Sequence, residues 1–329
     1  MIMHGLKKGI AIGLALICLC LACCVAEVNP PFLRIDRDDP EAWQGELDNV
    51  RLVKDGMYHL GKVKKKYGIE PDCVPSTKGL ENLNISGSAQ FSVPQFHKFA
   101  DTLRDCAEGR TVYIIDLRQE SHVLVNDGIA LSWYDAHNWA NKGKTLEEVE
   151  ADEATRFGAM VGQTVTAYGR EDDTAINELE LTIEKITTEK ELVESEGFQY
   201  FRMPIQDHTW PEAEELDAFI GLVRSLDPDQ AWLHFHCQAG AGRTGIMMTV
   251  YDMMRNPDVP MKDIIVRQPM LGGSYPLYTE DSDNYKAPLY RIKAQMIPLL
   301  YEYIQEQHAS NYAVPWSQWL AEQNLQAAA

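Results

Sequence analysis

The sequence predicts an α/β fold carrying a small β-rich insertion, on three observations. Apolar runs of strand length, "TVYIIDL" at 111–117 and "AWLHFHC" at 231–237, alternate with helical patterns. Amphipathic stretches of helix length, "WPEAEELDAFIGLVRSL" and "RTGIMMTVYDMMRN", flank the second of those strands. Between the two strands, "ELELTIEKI" alternates with period two: Leu179, Leu181 and Ile183 face one way, Glu180, Thr182 and Glu184 the other. That is the mark of a half-exposed antiparallel strand.

Along the chain, the first 26 residues stand apart. Lys7 and Lys8 precede an uninterrupted apolar run, and "CVA" at Cys24–Ala26 has the small-x-small form of a cleavage site. This reads as a secretory signal peptide, with Glu27 opening a mature domain at 27–329. The expected location is secreted or periplasmic. A lipoprotein is the alternative, because "CLAC" sets Cys23 behind a small residue. Apart from such an anchor, no membrane association is expected.

Residues 27–60 read as irregular, and "GKVKKKYG" at 61–68 as a solvated basic face. "SVPQFHKFADTLRDC" has helical spacing, with Phe96, Phe99 and Leu103 on one side. "ALSWYDAHNWANKGKT" reads as an aromatic loop and "LEEVEADEATRFGAMV" as an acidic helix. The β-rich insertion spans roughly 128–200, with "QTVTAYG" and "FQYFRMPI" as candidate partners of the alternating strand. A long helix, "APLYRIKAQMIPLLYEYIQEQ", contains Pro298 as a potential kink.

Composition excludes some functions. The formal net charge is −19. Removing the leader takes away two lysines and no acid, which leaves the balance near −21. A nucleic-acid binder needs a basic footprint, so none is expected. Four of the seven cysteines fall in the leader, and Cys73, Cys106 and Cys237 remain, which is no disulfide framework. Cys73 and Cys106 read as free thiols, although a single bridge between them is permissible in an oxidising compartment.

The chemistry sits in "WLHFHCQAGAGRTG", Trp232–Gly245. A strand, a cysteine, a glycine-rich turn, an arginine and a helix in that order make an anion cradle. Gly240 and Gly242 allow successive N–H groups to turn inward, from Gln238 through Ala239 and Ala241. The helix adds its positive N-terminal end. Arg243 matches two phosphoryl oxygens with its planar fork. Cys237 feels the same field, which favours the thiolate, so it is the candidate nucleophile. Thr244 is placed to donate to that sulfur, and His236 to orient the loop through its ring N–H. Alternation puts His234 and His236 on one strand face, but no fourth ligand appears at zinc-site spacing, so no metal is expected. A rhodanese also presents a loop cysteine, but the arginine six residues on favours phosphate. Attack on phosphorus needs an acid for the leaving oxygen, and Asp207 in "QDHTWP" is the candidate.

These residues carry a resemblance. His236, Cys237, Arg243 and Thr244 form the H-C-x5-R-[ST] signature of cysteine-dependent phosphatases. The blocks "ISGSAQFS", "DLRQESH", "SWY" with "NWAN", "DHTWP", "HCQAGAGRT" and "KAPLYRIK" resemble the protein-tyrosine-phosphatase-like inositol polyphosphatases, the cysteine phytases of anaerobic gut bacteria. The resemblance implies a protein-tyrosine-phosphatase-like α/β core with a small partial β-barrel insertion. It also implies stepwise, metal-independent hydrolysis of myo-inositol hexakisphosphate through a cysteinyl-phosphate, with no cofactor. His208, Lys286, Tyr290 and Lys293 then match substrate-binding positions, as does Arg34 in "FLRID", where the text departs from the family's. "NWAN" stands where the family often has "DWAN", at Asn138. Lys286, Tyr290 and Lys293 fall at i, i+4 and i+7 on one helix face, so a local positive funnel is compatible with the net charge. Two rivals remain: a protein tyrosine phosphatase acting on phosphopeptides, and a catalytically silent phosphate-binding module. The oligomeric state is not read from the sequence.

Overall fold

The computed structural model describes residues 28–39, 41–53, 60–70 and 72–323. The leader assigned to residues 1–26, with its cleavage site and Cys23, lies outside the described residues. Strands and helices are numbered along the chain. A five-stranded sheet runs in the order β10 (Gln199–Arg202), β4 (Thr111–Asp116), β11 (Ala231–His236), β3 (Ile85–Ser88) and β2 (Arg51–Leu52). Its pairings are parallel except the antiparallel β2–β3 edge. The central strands β4 (TVYIID) and β11 (AWLHFH) are largely apolar because both faces are covered.

The strands sort side chains by alternation. Val112, Ile114 and Trp232 face a layer made by α2 (Val93–Ala107) and α4 (Glu189–Ser195). Ile115, Leu233, Phe235 and Cys237 face the opposite core, built mainly on α5 (Ala213–Ser225), α6 (Gly242–Arg255), α7 (Met261–Met270), α8 (Lys286–Gln307) and α9 (Trp316–Glu322). In α2, Phe96, Phe99 and Leu103 are buried as their spacing requires, and Ser92 with Gln95 closes a capping box at its start. The remaining helices are α1 (Leu60–Tyr67) and α3 (Leu146–Gly158).

A second sheet has the order β8 (Thr174–Thr182), β7 (Thr164–Glu171), β1 (Phe32–Ile35), β6 (Ala130–Tyr134), β5 (His122–Val125) and β9 (Ile186–Thr187). It is open, with β8 and β9 at its edges. Leu33, Ile35, Val123 and Leu131 bury one face with Phe157 of α3, and Leu179, Leu181 and Ile183 join that cluster.

Three expectations change here. The insertion is wider than 128–200, because β1 comes from the stretch read as irregular and β5 from before the window. "ALSWY" is a strand, paired with β1 from Phe32↔Tyr134 to Ile35↔Leu131, not a loop. "FQYFRMPI" does not join the alternating strand: β10 pairs parallel with β4, because its apolar residues belong to the main core. The long helix expected near the C-terminus is α8, with Pro298 inside it. Cys73 and Cys106 are free thiols. Among the described residues, no helix is long and apolar enough to cross a membrane.

Candidate active site

Cys237 directly follows β11, at the floor of a cleft of about 460 Å³. Four successive carbonyls of the loop that follows are turned outward and held there. Gln238 O accepts from Gln90 N at 3.1 Å, and Ala241 O from Ser274 N at 3.3 Å and Gly245 N at 3.1 Å. Asn49 Nδ2 donates to Ala239 O and Arg51 Nη1 to Gly240 O, both at 2.6 Å. With the carbonyls out, the intervening N–H groups turn in, and the first turn of α6 adds its own. Gly240 is required twice over. Its φ is +68°, and a Cβ there would lie 2.5 Å from the Ser88 and Ala89 backbone. Gly242 plays a different part than expected. It begins α6 without positive φ, and a Cβ there meets nothing within 4 Å, so only a bound ligand would need the space.

Thr244 Oγ1 donates to Cys237 Sγ at 3.2 Å, as its position predicted. Arg243 is buried and forked onto Glu120, at 2.7 Å to Oε2 and 2.9 Å to Oε1. Burial opposes ionisation of Glu120, but Arg243 and Arg118 outweigh it and hold the carboxyl well below its usual range. Asp207 lies 3.4 Å from Arg243 Nε and keeps about a fifth of its side chain (21%) open to solvent. Trp139 Nε1 donates to its carbonyl at 2.9 Å, and Asn138 Nδ2 to its carboxylate at 3.3 Å. Burial pushes the Asp207 carboxyl up, but Arg243 and His208 pull harder, so its pKa sits below the ordinary value. That pull works against proton donation in the empty site. A phosphoryl dianion on Arg243 would cancel it.

Around the mouth stand His208, Lys286, Tyr290 and Lys293, with Gln238, Ala239 and Ala241 on the floor. Burial, reinforced by Lys286, Arg243 and Lys293, pushes His208 down to about 4 against the opposing pull of Asp207. Burial and Lys286 likewise bring Lys293 down to about 8, although Asp207 favours its charge.

Two sequence expectations are corrected. Arg34 does not reach the cleft: it is buried in β1 with its guanidinium 2.8 Å from Asp38 and over the Tyr134 ring. Alternation sets it on the face opposite Leu33 and Ile35, beside Asp38 and the Tyr134 ring. The His236 ring is not turned toward the loop. Alternation sends it to the α2–α4 side, where it packs on Phe91 and its Nε2 lies 2.7 Å from Glu189 Oε1. Asp116, Glu189 and His236 approach one another within 4.8 Å, but Arg202 lies 3.2 Å from Asp116, so the acids are already countered.

Sequence reasoning also missed residues. Lys66 and Tyr67, in the run read as a solvated face, line the cleft, as do Arg170, Tyr275 and Tyr278. Only the tertiary fold brings them there. Glu120 and Asn138 had a signal, since both lie in the motif blocks that carry the resemblance.

A parallel sheet ending in a cysteine, an outward-clamped phosphate loop, an arginine and a helix defines the cysteine-phosphatase class of fold. Comparison with known proteins narrows this. The profile of the PTP-like phytase family, described by inositol hexakisphosphate, matches residues 115–255. The chain is similar to the PTP-like myo-inositol phosphatase of Mitsuokella multacida, solved with myo-inositol-(1,3,4,5)-tetrakisphosphate. The two share 41% identity over 89% of this chain and 49% of that one, with a TM-score of 0.81. A PTP-like phytase of Bdellovibrio bacteriovorus shares 28% identity over 90% of this chain and 96% of its own, with a TM-score of 0.69. The effector protein hopD2 of Pseudomonas syringae pv. tomato shares 26% over 74% of this chain and 53% of its own. This chain thus spans about half the length of the Mitsuokella protein and of the effector. Residues 115–255 match the protein-tyrosine-phosphatase-like phytase family, and the chain is similar to phytases of that family over about nine-tenths of its length.

Proposed function

We propose that the protein is a cysteine-dependent phosphatase of inositol polyphosphates, removing phosphate from myo-inositol hexakisphosphate one group at a time. Cys237 attacks phosphorus as thiolate, Arg243 and the loop N–H groups hold the equatorial oxygens, and Asp207 protonates the departing inositol oxygen. Asp207 then takes a proton from the water that hydrolyses the cysteinyl-phosphate. No step in this scheme calls on a metal.

The observation that carries the substrate class is the rim. On a chain of net charge −19, Lys66, Lys286, Lys293, Arg170 and His208 converge on one cleft with Arg243. Among the described residues, no carboxylate lies within 4 Å of the Lys66, Lys286 or Lys293 ammonium groups. Cations left without acids around a phosphate cradle suit a ligand that brings several anions. The tetrakisphosphate seen in the Mitsuokella relative supports the same reading. A phosphotyrosine reading draws on one observation, the tyrosines at the mouth: Tyr67 lies 5.5 Å from Tyr275 and 5.8 Å from Tyr278 between ring centroids. The test is phosphate release from inositol hexakisphosphate and from a phosphotyrosine peptide, each with chelator present. Preference for the peptide overturns the proposal. We also infer export, by cleavage after Ala26 or lipid attachment at Cys23. The mass of the mature N-terminus, recovered from cells, tells the two apart and refutes both if residues 1–26 remain.

A further inference from the structure

The buried arginines of this protein come with acids, with one exception. Arg118 pairs with Asp36 and Glu120, Arg202 with Asp116 and Glu153, Arg243 with Glu120 and Arg267 with Asp252. Arg51 is 5% exposed, yet no carboxylate among the described residues lies within 4 Å of it. Its Nη1 donates to Gly240 O at 2.6 Å and its Nη2 has no partner. Burying a guanidinium without a counter-ion is costly, so its retention needs an anion nearby.

The fold builds a slot for this side chain. Arg51 pairs with Gly87 across β2 and β3. A Cβ on Gly87 would lie 3.2 Å from the guanidinium carbon and 3.0 Å from the Thr244 methyl. A Cβ on Gly272, at φ +105°, would lie 3.2 Å from Arg51 Cδ. Two absent side chains thus let the guanidinium lie beneath the phosphate loop, beside the threonine whose hydroxyl donates to Cys237.

We propose that Arg51 is a positioning residue for the reaction: it clamps the Gly240 carbonyl outward and sets an unbalanced positive charge behind Cys237, so that the sulfur reacts as thiolate. This rests on the cysteine-nucleophile part of the proposed function and not on the identity of the substrate. Of the charges facing Cys237, Arg243 on α6 is matched by Glu120 and Asp207. Lys286 and Lys293 stand across the cleft on α8, at the mouth. Arg51 alone is both buried under the loop and without an acid. Burial lowers its own pKa to about 10, and the Cys237 charge pulls the other way, as expected of a pair that share one another's field.

The test follows alkylation of Cys237 by iodoacetamide in the full chain, from pH 5 to 9, read on the Cys237 peptide by mass spectrometry. Arg51→Met should react at least about tenfold more slowly at pH 6, with the gap closing toward pH 9, where loss of a favouring charge no longer matters. Arg51→Lys keeps the charge and should restore most of the rate. Arg51→Gln can still cap Gly240 but carries no charge, and should behave as the Met variant. It also serves if that variant does not fold. A wild-type rate at pH 6 in a folded uncharged variant overturns the proposal. So does a deficit that is constant with pH, or a Lys variant as slow as the Met. Because no substrate enters, these outcomes stand apart from whether inositol hexakisphosphate is turned over.

Discussion

Lys293 offers a test of the rim that needs no turnover. Its ammonium is held near 8 by burial and by Lys286. A polyanion seated in the cleft favours the charged form and should return it to the ordinary lysine range or above. By linkage, binding then takes up a proton wherever free Lys293 is neutral. With a free value near 8, roughly 90% of the molecules carry the charge at pH 7 and roughly 10% at pH 9. Affinity should therefore fall about tenfold between those pH values, equivalent to about 1.4 kcal/mol. The ligand should be myo-inositol hexasulfate, whose charges do not titrate, measured by calorimetry on the Cys237→Ser protein. His208, held near 4 in the free protein, could also gain a proton beside a polyanion, so the parent and the Lys293 variant are compared in a His208→Asn background. Lys293→Arg, charged throughout, should abolish the dependence. A tenfold fall that persists in the arginine variant, or none in the parent, refutes the reasoning.

Asp207→Asn should slow release from inositol phosphates by roughly 10²–10⁴-fold and spare an activated aryl phosphate, whose leaving group needs little protonation. Equal losses on both would make Asp207 structural. Because Asp207 must carry a proton and its pKa lies below the ordinary value, kcat/KM should fall as pH rises through the carboxyl range, so an acidic optimum is expected. Changing Lys286 and Lys293 together to Ala should lower kcat/KM on the hexakisphosphate at least about tenfold, with each desolvated contact contributing roughly 1.5–3 kcal/mol. A small monophosphate should be little affected, and added salt should imitate the double variant. Parallel loss on both substrates would assign those lysines to packing. Gly240→Ala should abolish turnover, because its Cβ meets backbone at 2.5 Å and its φ is left-handed. Near-normal kinetics in that variant would contradict the clamped loop.

Much of this site was legible because its chemistry is local. Cys237, Gly240, Arg243 and Thr244 lie within one strand–loop–helix passage, where spacing alone dictates which groups meet. Lys286, Tyr290 and Lys293 were legible because helical periodicity carries information over two turns. What was not legible depends on contacts far apart in sequence. Lys66 reads like any solvated lysine until α1 is placed at the cleft mouth. Arg51 is 189 residues from the carbonyl it clamps, in a stretch with no periodicity. The His236 ring was placed on the wrong partner because alternation indicates a face and not what covers it. β1 and β6 were missed as strands for a similar reason. Each is short and is held by its neighbours, β1 by β6 and β7, and β6 by β1 and β5.

The central claim is covalent chemistry at Cys237 with an inositol polyphosphate. It is tested most directly by acid-quenching the protein within milliseconds of mixing with phosphorus-labelled inositol hexakisphosphate and mapping the label. The account predicts phosphate on the Cys237 peptide, accumulating further if water attack is slowed by Asp207→Asn with an activated substrate, and absent from Cys237→Ser. Label on His208 or His236, or turnover with no labelled peptide at any time, would contradict it.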